Sequence, residues 1–265
     1  MNRNASGGTN DLTMQRLGTQ RVFIILLGKS ILAVLSLAVV LLLYAEAYAI
    51  WYAEYHLGVP TEAEIAALPA AGHLCPLEAG SPHVALADMP LLLRQAVIAS
   101  AGADFQTRPN LVLPATMAAI IDGRRPDTRI TFTVTRHCLQ ALAPDCCRGL
   151  DWHVGNTVFM GRLERTLSRE RILDSYLNDS YLGRNAYGVA AAATAHFGKP
   201  LADLNIDEIA LLLARFQMPR PSERDGERRN YMLDKMLSAG LIDEAQATAA
   251  RAAPLPAVDT TPRSP

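Results

Sequence analysis

Four cysteines, Cys75, Cys138, Cys146 and Cys147, are the side chains in this 265-residue sequence whose type alone commits them to covalent or metal chemistry. Thiolates either ligate a metal or oxidise in pairs. A structural metal site calls for a C-x-x-C pair or nearby histidines, and neither accompanies these four, so the spacing favours disulfides. Four cysteines allow three pairings. The neighbours Cys146 and Cys147 would close a strained ring, which favours each of them pairing with one of Cys75 and Cys138. Disulfides persist in oxidising compartments, so the chain's position relative to a membrane becomes decisive.

From Val22 to Tyr52 only Lys29 and Glu46 carry charge, and a bilayer core needs about 20 apolar residues to be crossed. This predicts a transmembrane helix over 22–52, with Lys29 snorkelling and Tyr48, Trp51 and Tyr52 at the far interface. The small residues Ala45, Ala47 and Ala49 could form a signal-peptide cleavage site, but the apolar run exceeds the core length of such peptides. Arg3, Arg16, Arg21 and Lys29 cluster before or at its start, and the next Lys or Arg is Arg94. The positive-inside rule then places residues 1–21 in the cytoplasm and everything after the span outside. Net charge is −1, so no basic field points to nucleic acid.

The soluble part reads as helices. Ser168 can cap a helix with Ile172, Leu173, Tyr176 and Leu177 on one face, and Asn178 with Gly183 ends it. A second helix starts at Gly188, where Ala190, Ala191, Ala192 and Ala193 let another backbone approach, and Gly198 stops it. Pro90 sits in the first turn of a helix bearing Leu92, Leu93, Ala96 and Val97. A further helix is expected over 115–121, and Asn205 with Glu208 forms a capping pair ahead of Ile209, Leu212 and Leu213. Residues 1–21 read as a disordered tail, 53–82 as a linker without periodicity, 83–252 as the globular domain and 253–265 as a disordered proline-rich tail.

The stretch SRERILDSYLNDSYLGRNAYGVAAAATAHFGK, residues 168–199, resembles the peptidoglycan glycosyltransferase family, the lipid II polymerising domain of class A penicillin-binding proteins and monofunctional transglycosylases. The family pattern S-K-x-x-I-L-x-x-Y-L-N, F-G-x-x-A-Y-G-[VI]-x-A-A-A and Y-F-G-K is met by Ser168, Ile172, Leu173, Tyr176, Leu177, Asn178, Gly183, Ala186, Tyr187, Gly188, Val189, Phe197, Gly198 and Lys199, among others. The likeness continues through Pro90, Leu93, Arg94, Ala96, Ile98, Ala99 and Phe105, and through Arg228, Arg229, Asn230, Leu233, Asp234 and Met236. It implies a mostly α, lysozyme-like glycosyltransferase domain in the periplasm on one N-terminal transmembrane helix in the inner membrane. No S-x-x-K serine motif occurs, so no attached penicillin-binding transpeptidase domain is expected.

The departures fall on the family's chemistry. Where it reads Glu-Asp, this chain has Ala101 and Gly102, with Arg108 at the histidine position. Phe132 and Thr133 replace two glutamines, Arg136 stands at the lysine, Trp152 and His153 at a basic pair, and Asn156 at the second glutamate. The family joins a sugar 4-hydroxyl to the anomeric carbon of a lipid pyrophosphate-linked glycan, with inversion. That reaction needs a general base beside the hydroxyl and positive charge around the leaving pyrophosphate. Ala101 cannot accept a proton, and losing a general base typically costs about 10² to 10⁴ in rate.

What the resemblance implies is therefore a catalytically impaired relative of wall synthesis, a pseudoenzyme that binds lipid II or a glycan strand or regulates a synthesis partner. Substrate-contact candidates are Arg136, His153, Asn178, Tyr187 and Lys199, with Arg162, Arg165 and Arg169 as further cations. The rival reading is an active monofunctional transglycosylase whose carboxylate work has moved to Asp104 or Asp151. A divalent cation, Mg or Mn, is possible by resemblance alone.

Overall fold

The computed structural model describes residues 7–75, 80–102, 104–107, 129–144, 146 and 149–256. Among the described residues the regular structure is helical, apart from one antiparallel bridge between Tyr181 and Tyr187. The expected helix over 115–121 lies outside them. The chain divides into two units, residues 1–52 and 53–265.

The first unit is carried by helix α1, Gly7–Tyr55. Its segment Leu27–Tyr55 has 29 residues and a mean hydropathy of 2.3. At 1.5 Å per residue that is about 43 Å, more than the ~30 Å hydrocarbon core of a bilayer. Leu32, Val34, Leu41 and Leu43 are exposed on several sides of it, and a helix apolar all round suits lipid rather than water. Tyr48 packs on Trp51 and Tyr52, at centroid distances of 5.7 and 6.2 Å. Residues 7–21, expected to be disordered, are helical instead: no proline interrupts the run, and it continues the turns of the apolar segment.

The second unit packs helices α2 (Glu62–Ala66), α3 (Leu91–Ala101), α4 (Arg129–Leu142), α5 (Leu150–Thr166), α6 (Arg169–Asp179), α7 (Gly188–Phe197), α8 (Ile206–Arg215), α9 (Asp225–Ser238) and α10 (Glu244–Ala252) around one core. Local signals set several boundaries. Ser168 accepts from the Arg171 N–H and starts α6, while Gly198, at φ +67°, ends α7. The Asn205 and Glu208 side chains form a capping box on α8, and Ile209, Leu212 and Leu213 are buried, as their spacing predicts.

Two glycines hold the α6–α7 turn. A Cβ on Gly183 (φ +88°) would lie 1.9 Å from the Pro219 carbonyl oxygen, and one on Gly188 (φ +80°) 2.3 Å from that of Asn178. Only glycine accepts both the left-handed backbone and the contact. This brings the end of α6, the start of α7 and the Pro219 loop together.

Residues 53–75, expected as a linker, belong to the body of the domain. Ala53, Val59, Ile65, Leu74 and Cys75 are buried in the core. Composition concealed this, because long-range bonds hold the segment. From α5, Arg162 donates to the Val59 and Pro60 carbonyls and pairs with Glu54 at 2.9 Å, and Arg165 pairs with Glu62 at 2.8 Å. From α6, Arg171 donates to the Pro69 and Gly72 carbonyls.

The expected cysteine cross-pairing does not hold either. Cys75 is bonded to Cys138 on α4, with Cα atoms 5.0 Å apart. Both are buried, brought face to face by packing of α4 on the 72–75 segment. Cys146 is also disulfide-bonded, and Cys147 lies outside the described residues. Closing a loop across 63 residues removes chain entropy from the unfolded state equivalent to about 4 kcal/mol.

Candidate active-site cavity

Ala101 ends α3, where Gly102 and the turn 104–107 leave the helix. It lines a cavity of about 160 Å³ with Ser100, Arg129, Thr133, Tyr176, Phe216 and Gln217, among others. These side chains come from α3, α4, α6 and the end of α8. The rings of Tyr176 and Phe216 stack at 4.5 Å and 14°, giving the cavity a flat aromatic wall. The Ser100 hydroxyl donates to the Val97 carbonyl, which leaves its oxygen lone pairs to accept from elsewhere. The lining can hold a polar ligand by hydroxyl, amide, guanidinium and aromatic contacts. Among the described lining residues none is a carboxylate or a histidine, so no group there can take a proton near neutral pH.

The two aspartates suggested as substitutes do not line it. Asp104 lies in the turn beyond α3, and its Oδ1 is buried without a hydrogen-bond partner. Asp151 is half-buried in the first turn of α5. Asn156 is 4% exposed, and its Oδ1 also lacks a partner.

The expected substrate contacts separate into two groups. Asn178 is fully buried; its Nδ2 donates to the Val84 carbonyl and to Asp174, and its Oδ1 accepts from the Val84 N–H at 3.0 Å. It fastens the 81–85 segment to α6, and its burial keeps it from solvent. The Tyr187 ring packs against that of Tyr181, tilted by 50° at a centroid distance of 5.1 Å, across the bridge. Lys199 pairs with Glu208 at 2.8 and 3.0 Å, tying the loop after α7 to the cap of α8. Arg136 and His153, by contrast, are exposed. Arg136 lines a second cavity, of about 410 Å³, with Trp152.

The other arginines expected as cations are engaged elsewhere. Arg162 and Arg165 hold the 53–62 segment, as described above. Arg169 pairs with Glu164 at 3.3 Å and lies over the Phe105 ring at 5.2 Å. Glu164, whose side chain is wholly buried, also accepts from the Thr131 hydroxyl at 2.7 Å. This carboxylate escaped the sequence reading because its partner Thr131 is 33 residues away.

A polar network that sequence reasoning missed lies along α6. Asp179 accepts from His73 (2.6 Å), from the Leu74 N–H (3.2 Å) and from Ser175 (2.7 Å). Asp174 meets His83 at 3.0 Å and Arg171 at 2.6 Å. The His73 and His83 rings stand edge to face at 5.3 Å. Its only sequence signal was the pair of acidic residues on a helix face otherwise destined for burial. Among the described residues no group of three or more His, Cys, Asp or Glu side chains could hold a metal ion. With Asn156 neutral as well, the described donors do not fit the divalent cation implied by resemblance.

Comparison with known proteins bears on this geometry. Residues 75–237 match the family model described as Transglycosylase. Penicillin-binding protein 1A of Mycolicibacterium smegmatis is 30% identical over 186 residues, 65% of this chain and 23% of that protein. Penicillin-binding protein 1A of Pseudomonas aeruginosa is 38% identical over 100 residues, 36% of this chain and 12% of the relative. A putative transglycosylase of Cupriavidus necator is 36% identical over 100 residues, 36% of this chain and 43% of its own length. The chain thus spans less than half the length of each of these relatives. Among solved structures, penicillin-binding protein 1A of Haemophilus influenzae aligns with a TM-score of 0.40 and 24% identity, over 66% of this chain and 18% of the other. Since the matched region runs from the Cys75 segment through α9 and takes in both cavities, this chain belongs to the transglycosylase family.

Proposed function

We propose that this protein is a peptidoglycan glycosyltransferase-like component of wall synthesis that binds lipid II or a glycan strand without polymerising it. The observation carrying this reading is the cavity at Ala101, lined by Tyr176, Phe216, Ser100, Thr133 and Gln217 and, among its described lining residues, holding no carboxylate. Such a lining can orient a sugar but cannot deprotonate its hydroxyl, and a hydroxyl left protonated is a poor nucleophile. The domain stands in the periplasm on a single membrane anchor with its N-terminus in the cytoplasm. The length and apolarity of α1 and the Cys75–Cys138 disulfide, a bond of oxidising compartments, support that placement. Through the bound glycan it acts on partner proteins of wall synthesis.

The test is incubation of the full chain, in detergent, with labelled lipid II. The proposal expects ligand binding, weakened by Arg136→Ala, and no glycan product. Product formation refutes it.

One observation favours a second reading, an active transglycosylase. The buried, unpartnered Oδ1 of Asp104 lies three residues beyond Ala101, and Asp104 is the carboxylate nearest to Ala101 along the chain. Glycan product that disappears in Asp104→Ala, or in Asp151→Ala, selects this reading.

A further inference from the structure

The chain's sulfur atoms fall into two settings. Cys75 and Cys138 are 1% and 0% exposed, bonded to each other inside the core, across 63 residues of chain. Cys146 is half-buried in the connection between α4 and α5, where its N–H donates to the Ala143 carbonyl at 3.0 Å. It is disulfide-bonded as well. With Cys75 and Cys138 committed to each other, Cys147 is the one cysteine of the four left to be its partner.

The two bonds differ in what keeps them closed. Joining Cys75 to Cys138 removes the entropy of a long loop from the unfolded chain, and burial denies a thiolate any approach to either sulfur. A bond between neighbouring residues closes nothing beyond its own ring, and that ring is strained by its size. Strained or accessible disulfides are the readily reduced ones. Access is provided here by a cavity of about 410 Å³, which Cys146 lines together with Arg136, Gln140 and Trp152, among others. Among the described lining residues Arg136 is a cation and none is a carboxylate. A positive, partly open surrounding favours both the thiolate that attacks and the thiolate that leaves.

We infer that Cys146 and Cys147 form an exchangeable disulfide, a site at which an external dithiol reduces this protein while the Cys75–Cys138 bond stays closed. In the first step a thiolate of the dithiol bonds to Sγ of Cys146. The Cys146–Cys147 bond breaks, and its electron pair leaves on Cys147, which takes up a proton. The second thiolate of the reductant then attacks the reductant's own sulfur in the mixed disulfide and releases Cys146 as a thiol. Two electrons and two protons have passed to the protein, and the dithiol has become a disulfide. A monothiol lacks the second step, because the adjacent Cys147 thiolate expels it from Cys146 and recloses the ring. The inference goes beyond ligand binding and does not depend on it.

The test uses the full chain in detergent, isolated without reductant and with free thiols blocked. Cleavage before Asp145 and Asp151 isolates residues 145–150, a fragment whose cysteines are Cys146 and Cys147. Its mass is expected to be lower by two hydrogens than that of the dithiol form. Graded dithiothreitol, followed by alkylation and the same cleavage, should open this pair at a reductant concentration at least about tenfold below that needed for Cys75–Cys138, a gap of about 30 mV. Circular dichroism should show the domain still folded at that point. Reduced glutathione at equal thiol concentration should leave no lasting adduct. Two free thiols in the isolated fragment, or a bond from either residue to another cysteine, overturn the inference. So do joint opening of both disulfides, unfolding as the pair opens, and a lasting glutathione adduct on Cys146.

Discussion

Replacing Asp179 with alanine is predicted to lower the stability of the domain by about 3–5 kcal/mol, the cost of leaving a buried charge-assisted network without its acceptor. Asp179 is 4% exposed and accepts from three donors, on His73, Leu74 and Ser175. Alanine orphans all three, and the His73–Leu74 segment, already bound to α4 through Cys75, loses its hold on α6. Set against a typical total of about 5–15 kcal/mol, this is a large share, and at roughly 2–4 °C per kcal/mol it lowers the Tm by about 6–20 °C. The network also gives the loss a pH signature. His73 places Nδ1 against the Asp179 carboxylate and Nε2 against the Ser81 carbonyl, 2.6 and 2.9 Å away. Both neighbours are acceptors, so only the doubly protonated ring satisfies both. Burial lowers the His73 pKa, but the bonds to Asp179 and Ser81 and the charges of Asp179 and Asp174 outweigh it and leave the value raised. A raised folded pKa contributes stability that is fully present below the unfolded value of about 6.5 and is lost as pH rises through the folded value. The other groups facing this site are His83, Arg171 and Asp174 around the 73–84 segment and α6, with His137 on α4. Urea denaturation of the full chain in detergent, at about pH 6 and about pH 9, should show the unsubstituted protein losing stability over that interval and Asp179→Asn losing markedly less. A cost below about 1 kcal/mol for Asp179→Ala, or parallel pH profiles, would refute the reasoning.

Other perturbations test neighbouring parts of the account. His137 has the opposite sign: burial, then the charge of Arg136, pulls its pKa down to about 4, so its contribution is lost as pH falls from about 6.5 towards that value. His137→Leu should flatten the acid limb of the stability profile, read by chemical denaturation from about pH 7 to pH 4. Gly188→Ala should cost about 3 kcal/mol, combining a left-handed backbone with a Cβ driven into the Asn178 carbonyl, and would show as a lower denaturation midpoint. Lys199→Met should cost only about 0.5–1 kcal/mol, as for a partly exposed ion pair, and leave lipid II affinity unchanged because Lys199 is held by Glu208.

The α6–α7 hairpin was legible in the sequence because its signals are local: Ser168 caps, Gly183 and Gly188 turn, Gly198 stops. The 53–75 segment was not, because its stability lies in Arg162, Arg171, Asp179 and Cys138, all at least 60 residues distant. Distance along the chain also hid the disulfide partner of Cys75 and the second wall of the Ala101 cavity, where Tyr176 and Phe216 stack. Arg162, Arg165 and Arg169 looked like available cations because charge can be counted from sequence. Their partners Glu54, Glu62 and Glu164 become evident only once α5 is packed. The proposed loss of acidic groups at Ala101 and Asn156, in contrast, was read from residue types set against the family motif, and the described lining residues of the cavity at Ala101 include no carboxylate.

The most direct measurement of the central claim is the rate at which the purified full chain converts labelled lipid II to glycan, compared with an intact family polymerase under the same conditions. The account predicts ligand bound and no strand made. Elongation at a comparable rate would contradict it.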